Sequence, residues 1–251
     1  MNIEVAKIFS RVVLSDKKVR IKLLGDSITH GVGGTGFKQD GARINETFAR
    51  NPNGYCWAKL LKEHMESQYN CEVVNNGCTG TSIEYVISHF DELVDEEDDI
   101  ILCTIGTNDR HQYLKDAPMR DKKGQMEKFY RHLTSLQGMF KDRGKTVVFM
   151  ANIPASANNE KDCLTCEKPY MRLFHMNDLC DMYTKASHEF GFPLIRLYSL
   201  FLGYCQTNGI TVDSLLADGL HPNDRGYEVM FGLILEELGF ADKVPTMSRN
   251  K

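Results

Sequence analysis

The chain has 251 residues, 42% of them hydrophobic and 25% charged, which is long enough to bury a substantial core and has the balance of a globular protein. Thirty Lys and Arg stand against 34 Asp and Glu, a formal net charge of −4, and this argues against nucleic acid as a partner because no large basic face is available. No apolar run approaches the roughly 20 residues of a membrane-spanning helix, so no membrane span is expected.

In chain order, Met1–Leu14 mixes its apolar residues with Glu4, Lys7 and Arg11. It lacks the apolar core of a secretory signal, so the expected location is cytoplasmic, and residues 1–19 are read as an N-terminal extension. Val19–Leu24, stopped by Gly25, is the first predicted strand. A helix is predicted over Gly54–Tyr69, where Trp57, Leu60, Leu61, His64 and Met65 recur at three- and four-residue spacing. Cys71–Asn75 and Ile100–Ile105 are the second and third strands. Gln125–Arg143 repeats Phe129, Leu133, Leu136 and Phe140 and is predicted helical, and Thr146–Ala151 is the fourth strand. A helix over Tyr170–Phe190, a fifth strand over Phe192–Leu197 and a helix over Asp224–Leu238 complete the series. The last has Asn223 or Asp224 to cap its start and Gly239 past its end. Residues 240–251 are read as a C-terminal tail.

Apolar runs of this kind suit strands covered on both faces, and their alternation with helices implies a parallel sheet between two helical layers. No repeat, low-complexity tract or linker divides the sequence, so one domain over 1–251 is expected. Two connections are long, Gly31–Asn53 and Asn152–Pro169. Both follow the carboxyl end of a predicted strand, where ligands bind in open α/β sheets. The charge run Asp91–Asp99 is read as a solvated helix end.

Two ligand readings are weak. Gly31-Val32-Gly33-Gly34-Thr35-Gly36 matches a dinucleotide pattern, but Gly25-Asp26-Ser27 already fills the strand-to-helix turn where phosphate would bind. The glycines are read as a flexible loop. Cys163-x-x-Cys166 followed by His175 and Cys180 offers zinc-type ligands. Five residues apart on a helix, His175 and Cys180 face different ways, so loop thiols and a helix histidine are the preferred reading. No metal or cofactor is expected, and the eight cysteines are read as mostly free thiols.

A stronger constellation is spread along the chain. Ser27 follows the first strand, and a serine hydroxyl becomes a nucleophile once a histidine accepts its proton. Asp218-Gly219-Leu220-His221-Pro222 supplies that histidine, with a carboxylate three residues earlier to orient its ring. Ile105-Gly106-Thr107-Asn108-Asp109 follows the third strand, and Asn75-Asn76-Gly77-Cys78-Thr79-Gly80-Thr81 the second. Acyl transfer passes through an oxyanion, and Ser27 N–H, a glycine N–H and the Asn108 amide are suitable donors. Gly77 and Gly80 compete for the glycine role. The other seven histidines are read as ordinary, although His30 and His111 lie close to these segments.

Together the four segments resemble the SGNH hydrolases, the GDSL esterase/lipase family. Gly25-Asp26-Ser27-Ile28-Thr29 stands for the first block, Gly80 for the second, Gly106-Thr107-Asn108-Asp109 for the third, and Asp218-x-x-His221-Pro222 for the last, over about Arg20–Leu238. The resemblance favours Gly80 over Gly77. It implies a flavodoxin-like three-layer α/β/α fold with about five parallel strands. It also implies a serine esterase in which Ser27 attacks, His221 is the base, Asp218 orients it, and Ser27, Gly80 and Asn108 hold the oxyanion. A small-molecule or saccharide ester is the expected substrate. Because the long loops are mainly polar, short acyl groups such as acetyl on a sugar-like scaffold are expected, with Tyr55, Trp57, Tyr113 and Tyr170 as candidate aromatic walls. A lysophospholipase- or thioesterase-like enzyme, an acyltransferase and a silent binding module are the alternatives.

Overall fold

A computed structural model describes residues 2–38, 54–113, 121–161 and 170–241. Its elements are α1 (Ile3–Leu14), β1 (Val19–Gly25), α2 (Ser27–His30), α3 (Trp57–Gln68), β2 (Cys71–Gly77), α4 (Ile83–Ser88), α5 (Phe90–Leu93) and β3 (Ile100–Thr104). After these come β4 (His111–Tyr113), α6 (Lys122–Asp142), β5 (Thr146–Ala151), α7 (Ala157–Lys161), β6 (Tyr170–Arg172) and α8 (Met176–Phe190). The chain continues through β7 (Leu194–Arg196), α9 (Leu197–Thr207) and α10 (Asp224–Leu238).

The five strands expected from the sequence make one sheet in the order β2-β1-β3-β5-β7, with every neighbouring pair parallel. Alternate residues of each strand feed two separate cores. Ile21, Leu23, Val73, Leu102, Val148 and Met150 face a layer of α1, α3, α9 and α10. Leu24, Ile101, Cys103, Val147, Phe149 and Ala151 face α4, α5, α6 and α8. The result is three layers, with apolar side chains on both faces of the sheet. From β1 the sheet grows in one direction to β2 and in the other to β3. The segments leaving β1 and β3 therefore diverge at their carboxyl ends and open a crevice there.

Several boundaries move for local reasons. Asp121 accepts the Gly124 N–H at 2.8 Å and starts α6 three residues before the predicted point. Asp178 accepts the His175 N–H at 2.8 Å, which starts α8 at Met176 rather than Tyr170. Residues 170–172 instead pair antiparallel with 111–113 as a two-stranded ribbon that the sequence did not announce. The N-terminal segment is helical: Val5, Phe9 and Val12 of α1 are buried in the core that also holds α10.

The charge run is not simply solvated. Lys22 lies fully buried in β1, and Asp95 and Asp98 fold back to it, Nζ to carboxylate oxygen, at 2.8 and 3.2 Å. Arg20 joins them through Asp95 at 2.9 Å. A buried ammonium left without partners would cost several kcal/mol, so these acids are fixed by the lysine that they neutralise.

Candidate active site

The carboxyl ends of β1, β2, β3 and β5 meet at the crevice. Asp26 caps α2, its carboxylate accepting the Ile28 N–H at 3.0 Å, and this places Ser27 as the first helical residue. The first N–H groups of a helix lack intrahelical partners, so Ser27 presents both its hydroxyl and its N–H at one point. Ser27 Oγ–H lies 2.8 Å from His221 Nε2. His221 Nδ1–H lies 2.7 Å from Asp218 Oδ2.

The loop carrying His221 is held by its own carboxylate. Asp218 Oδ1 accepts the backbone N–H groups of Leu220 at 3.0 Å and His221 at 2.8 Å. Partial burial raises the Asp218 pKa, but the His221 N–H, the imidazole hydrogen bond, its charge and the Leu220 N–H outweigh that and hold it below the ordinary carboxylate value. Asp218 therefore stays an anion facing the imidazole, the condition for a histidine to accept a hydroxyl proton.

The two glycine candidates separate on hydrogen bonding. Gly77 N–H is taken by Asn75 Oδ1 at 2.8 Å, and Gly77 lies beneath α2. Gly80 sits at the third position of a turn closed by Thr81 N–H to Cys78 C=O at 3.3 Å. Its φ of +83° is the left-handed value this position needs and glycine supplies without strain. Among the described residues Gly80 N–H has no hydrogen-bond partner. Asn108 Nδ2 donates one hydrogen to Thr81 C=O at 3.0 Å, leaving the second for a ligand.

Beneath the serine lies a polar layer that the sequence did not reveal. Asp26 is fully buried, and its second oxygen accepts from Asn152 Nδ2 at 3.1 Å. Asn152 also donates to Thr107 Oγ1, and its own oxygen accepts from Thr104 Oγ1 at 3.0 Å. Burial pushes the Asp26 pKa up despite these hydrogen bonds. Asn152 enters from the end of β5, 126 residues away, so no local motif could have pointed to it.

The glycine-rich segment is not a loose loop. Thr35 N–H and Oγ1–H both donate to the Asp224 carboxylate at 2.7 Å, and Gly33 packs against Pro222, His221 and Ala217. Short turns need to bring backbone against backbone here, and residues without Cβ allow it. Of the candidate aromatic residues, Trp57 is buried in the core and Tyr55 donates to Glu228 at 2.8 Å. The side chains of Tyr113 and Tyr170 lie outside the described residues, as do Cys163 and Cys166. His175 Nδ1 faces Glu160 at 2.6 Å, and Cys180 is buried against the apolar core.

Ser27, His221 and Asp218 hydrogen-bonded in series at the carboxyl edge of a parallel sheet that lies between two helical layers define a hydrolase of the SGNH type. Residues 23–229 match the GDSL-like lipase/acylhydrolase family, and the chain belongs to it. An acetylxylan esterase from Geobacillus stearothermophilus is similar in structure, with a TM-score of 0.63 and 19% identity over 89% of this chain and 95% of that one. An α/β hydrolase from the metagenome of Lake Arreo, Spain, also has a TM-score of 0.63 and 19% identity, over 90% of this chain and 97% of its own. No curated protein sequence matches the chain.

Proposed function

We propose that the protein is a serine esterase that removes short acyl groups, acetyl above all, from a carbohydrate or similar polar scaffold. The observation that carries this reading is the continuous relay Asp218–His221–Ser27, with its two hydrogen bonds of 2.7 and 2.8 Å. Ser27 Oγ attacks the ester carbonyl while His221 Nε2 takes its proton. The carbonyl oxygen becomes an oxyanion that accepts from Ser27 N–H, Gly80 N–H and Asn108 Nδ2–H. The tetrahedral intermediate collapses as His221 returns the proton to the leaving alkoxide, giving an acyl-enzyme. Water then repeats the sequence, with His221 again as base, and frees the acid and Ser27.

Two observations support acetyl on a polar scaffold: the polar composition of Gly31–Asn53 and Asn152–Pro169, and the structural likeness to an acetylxylan esterase. A long acyl chain needs apolar wall to bury at roughly 0.8 kcal/mol per methylene. A cytoplasmic setting belongs to the same proposal. The six described cysteines are buried free thiols, which suits a reducing compartment, and cell fractionation checks it. No helix among the described residues is long and apolar enough to cross a membrane.

The deciding experiment is a panel of activated esters from acetyl to dodecanoyl, with Ser27→Ala as the blank. We expect kcat/KM to fall steeply beyond about four carbons, where added methylenes find no apolar surface, and to vanish in the blank. A maximum at octanoyl or longer refutes the short-acyl reading. Undiminished turnover by Ser27→Ala refutes the nucleophile.

A further inference from the structure

His30 ends α2, three residues after the serine, and is almost fully buried at 4% exposure. Its ring meets Phe37 edge to face, with centroids 5.0 Å apart. Nδ1 accepts the Thr79 backbone N–H at 3.2 Å, and Thr79 Oγ1 lies 3.0 Å from the same nitrogen. A nitrogen that accepts a peptide N–H carries no proton, so the tautomer is fixed with the hydrogen on Nε2.

The position of this bond matters more than its strength. Thr79 is the second residue of the turn whose third residue is Gly80. His30 belongs to the single helical turn whose first residue is Ser27. One imidazole thus bridges the two pieces of backbone that supply main-chain oxyanion donors. Other contacts hold α2 elsewhere: Asn75 Nδ2 donates to Thr29 C=O at 2.9 Å, and this fixes the helix to the body of β2 rather than to the turn.

We infer that His30 is a positioning residue, which rests on the esterase reading above: its Nδ1 holds the Thr79–Gly80 turn so that Gly80 N–H and Ser27 N–H converge on one oxyanion. The role requires neutral imidazole, and burial supplies it by lowering the His30 pKa from its ordinary value. Oxyanion donors work because they are aimed in advance, and a loosened turn loses that aim without losing the donor. The loss therefore belongs in kcat, where the oxyanion forms, and not in KM.

Side-chain geometry provides the test. Asn places an oxygen where Nδ1 stands, Gln carries its oxygen one bond farther out, and Leu has no acceptor. Acetyl-ester kinetics and hydrogen exchange at the Thr79 amide are measured on the full chain with each residue at position 30. We expect His30→Leu to lower kcat by about 10²-fold, the scale of one oxyanion donor, with KM unchanged and Thr79 exchange accelerated. His30→Asn should recover most of that loss and slow the exchange, and His30→Gln should recover neither. If His30→Leu does not fold, the comparison of Asn with Gln still decides, because both are amides that differ in acceptor position. Equal kcat in those two variants, or wild-type kcat in His30→Leu, overturns the inference while the wild type remains active. A wild type that hydrolyses none of the panel esters overturns the esterase reading and this inference together.

Discussion

Gly33→Ala is expected to lower activity by displacing the loop that carries His221. Gly33 has φ +94°, and a Cβ built there stands 2.4 Å from Pro222 C=O, 3.1 Å from His221 Cβ and 3.3 Å from Ala217 Cβ. Ordinary contact begins near 3.4 Å, so the Pro222 carbonyl must retreat by about 1 Å to reach van der Waals separation. That atom is backbone in the loop next to His221 and cannot rotate aside. The 2.8 Å bond between His221 Nε2 and Ser27 Oγ has no slack for such a displacement, and a misplacement of about 1 Å costs on the order of 10²-fold in rate. The stability cost combines roughly 1–2 kcal/mol for a left-handed L-residue with about 1–3 kcal/mol for overpacking. Gly36→Ala is the control: its φ is +77°, but nothing among the described residues lies within 4 Å of the added Cβ. It should lose only the backbone term, a Tm fall of about 2–8 °C, and retain its activity. The assay is kcat on an acetyl ester alongside thermal unfolding. Equal kcat for Gly33→Ala and Gly36→Ala would refute the claim that this loop braces the base.

Three further expectations rest on separate features. Asn108→Ala removes one proposed oxyanion donor and should lower kcat by about 10²–10³-fold; a change confined to KM would make Asn108 a substrate-binding residue instead. Burial, with the Asp26 charge adding to it and the Ile83 N–H opposing, pushes the Asp109 carboxyl up to about 7. A carboxyl raised in the folded state stabilises fully below its unfolded pKa, and the contribution is lost as pH rises through about 7. Asp109→Asn should therefore gain urea midpoint relative to wild type on going from pH 5 to pH 8, and a constant difference across that range would show that Asp109 does not titrate there. Phe9→Ala removes a fully buried ring that meets Phe240 edge to face and should cost about 3–5 kcal/mol in chemical unfolding; a loss under 1 kcal/mol would mean that α1 is not part of the cooperative core.

The strands were legible because burial on both faces leaves short runs rich in apolar residues that end at Gly, Asn or another turn residue. Their order was not, since VRIKLL carries no mark saying that it pairs with both β2 and β3. Helix α1 escaped because its exposed face carries Ile3, Val13 and Leu14, which blur the stripe formed by Val5, Phe9 and Val12. Helix α9, LYSLFLGYCQT, is apolar nearly all round and offers no periodicity to detect. At the site, Ser27, Asp218 and His221 stood out as short motifs, and the structure places them within hydrogen-bond reach of one another. The choice between Gly77 and Gly80 turns on which N–H is already taken, a fact about Asn75 Oδ1 that spacing does not encode. Asn152 and Lys22 acquire their meaning only from partners brought by the fold.

The Ser27–His221 bond closes a loop of 194 residues. During synthesis Ser27, the proposed nucleophile, emerges first with Gly80 and Asn108, while His221, the proposed base, arrives only with the segment leading into α10. A chain can thus complete most of its sheet while remaining chemically inert. On heating, the position of His221 depends on the core layer that α10 shares with α1. Should that layer loosen first, the base leaves and hydrolysis stops while β1, β3 and β5 still hold their register. Inactivation would then precede unfolding.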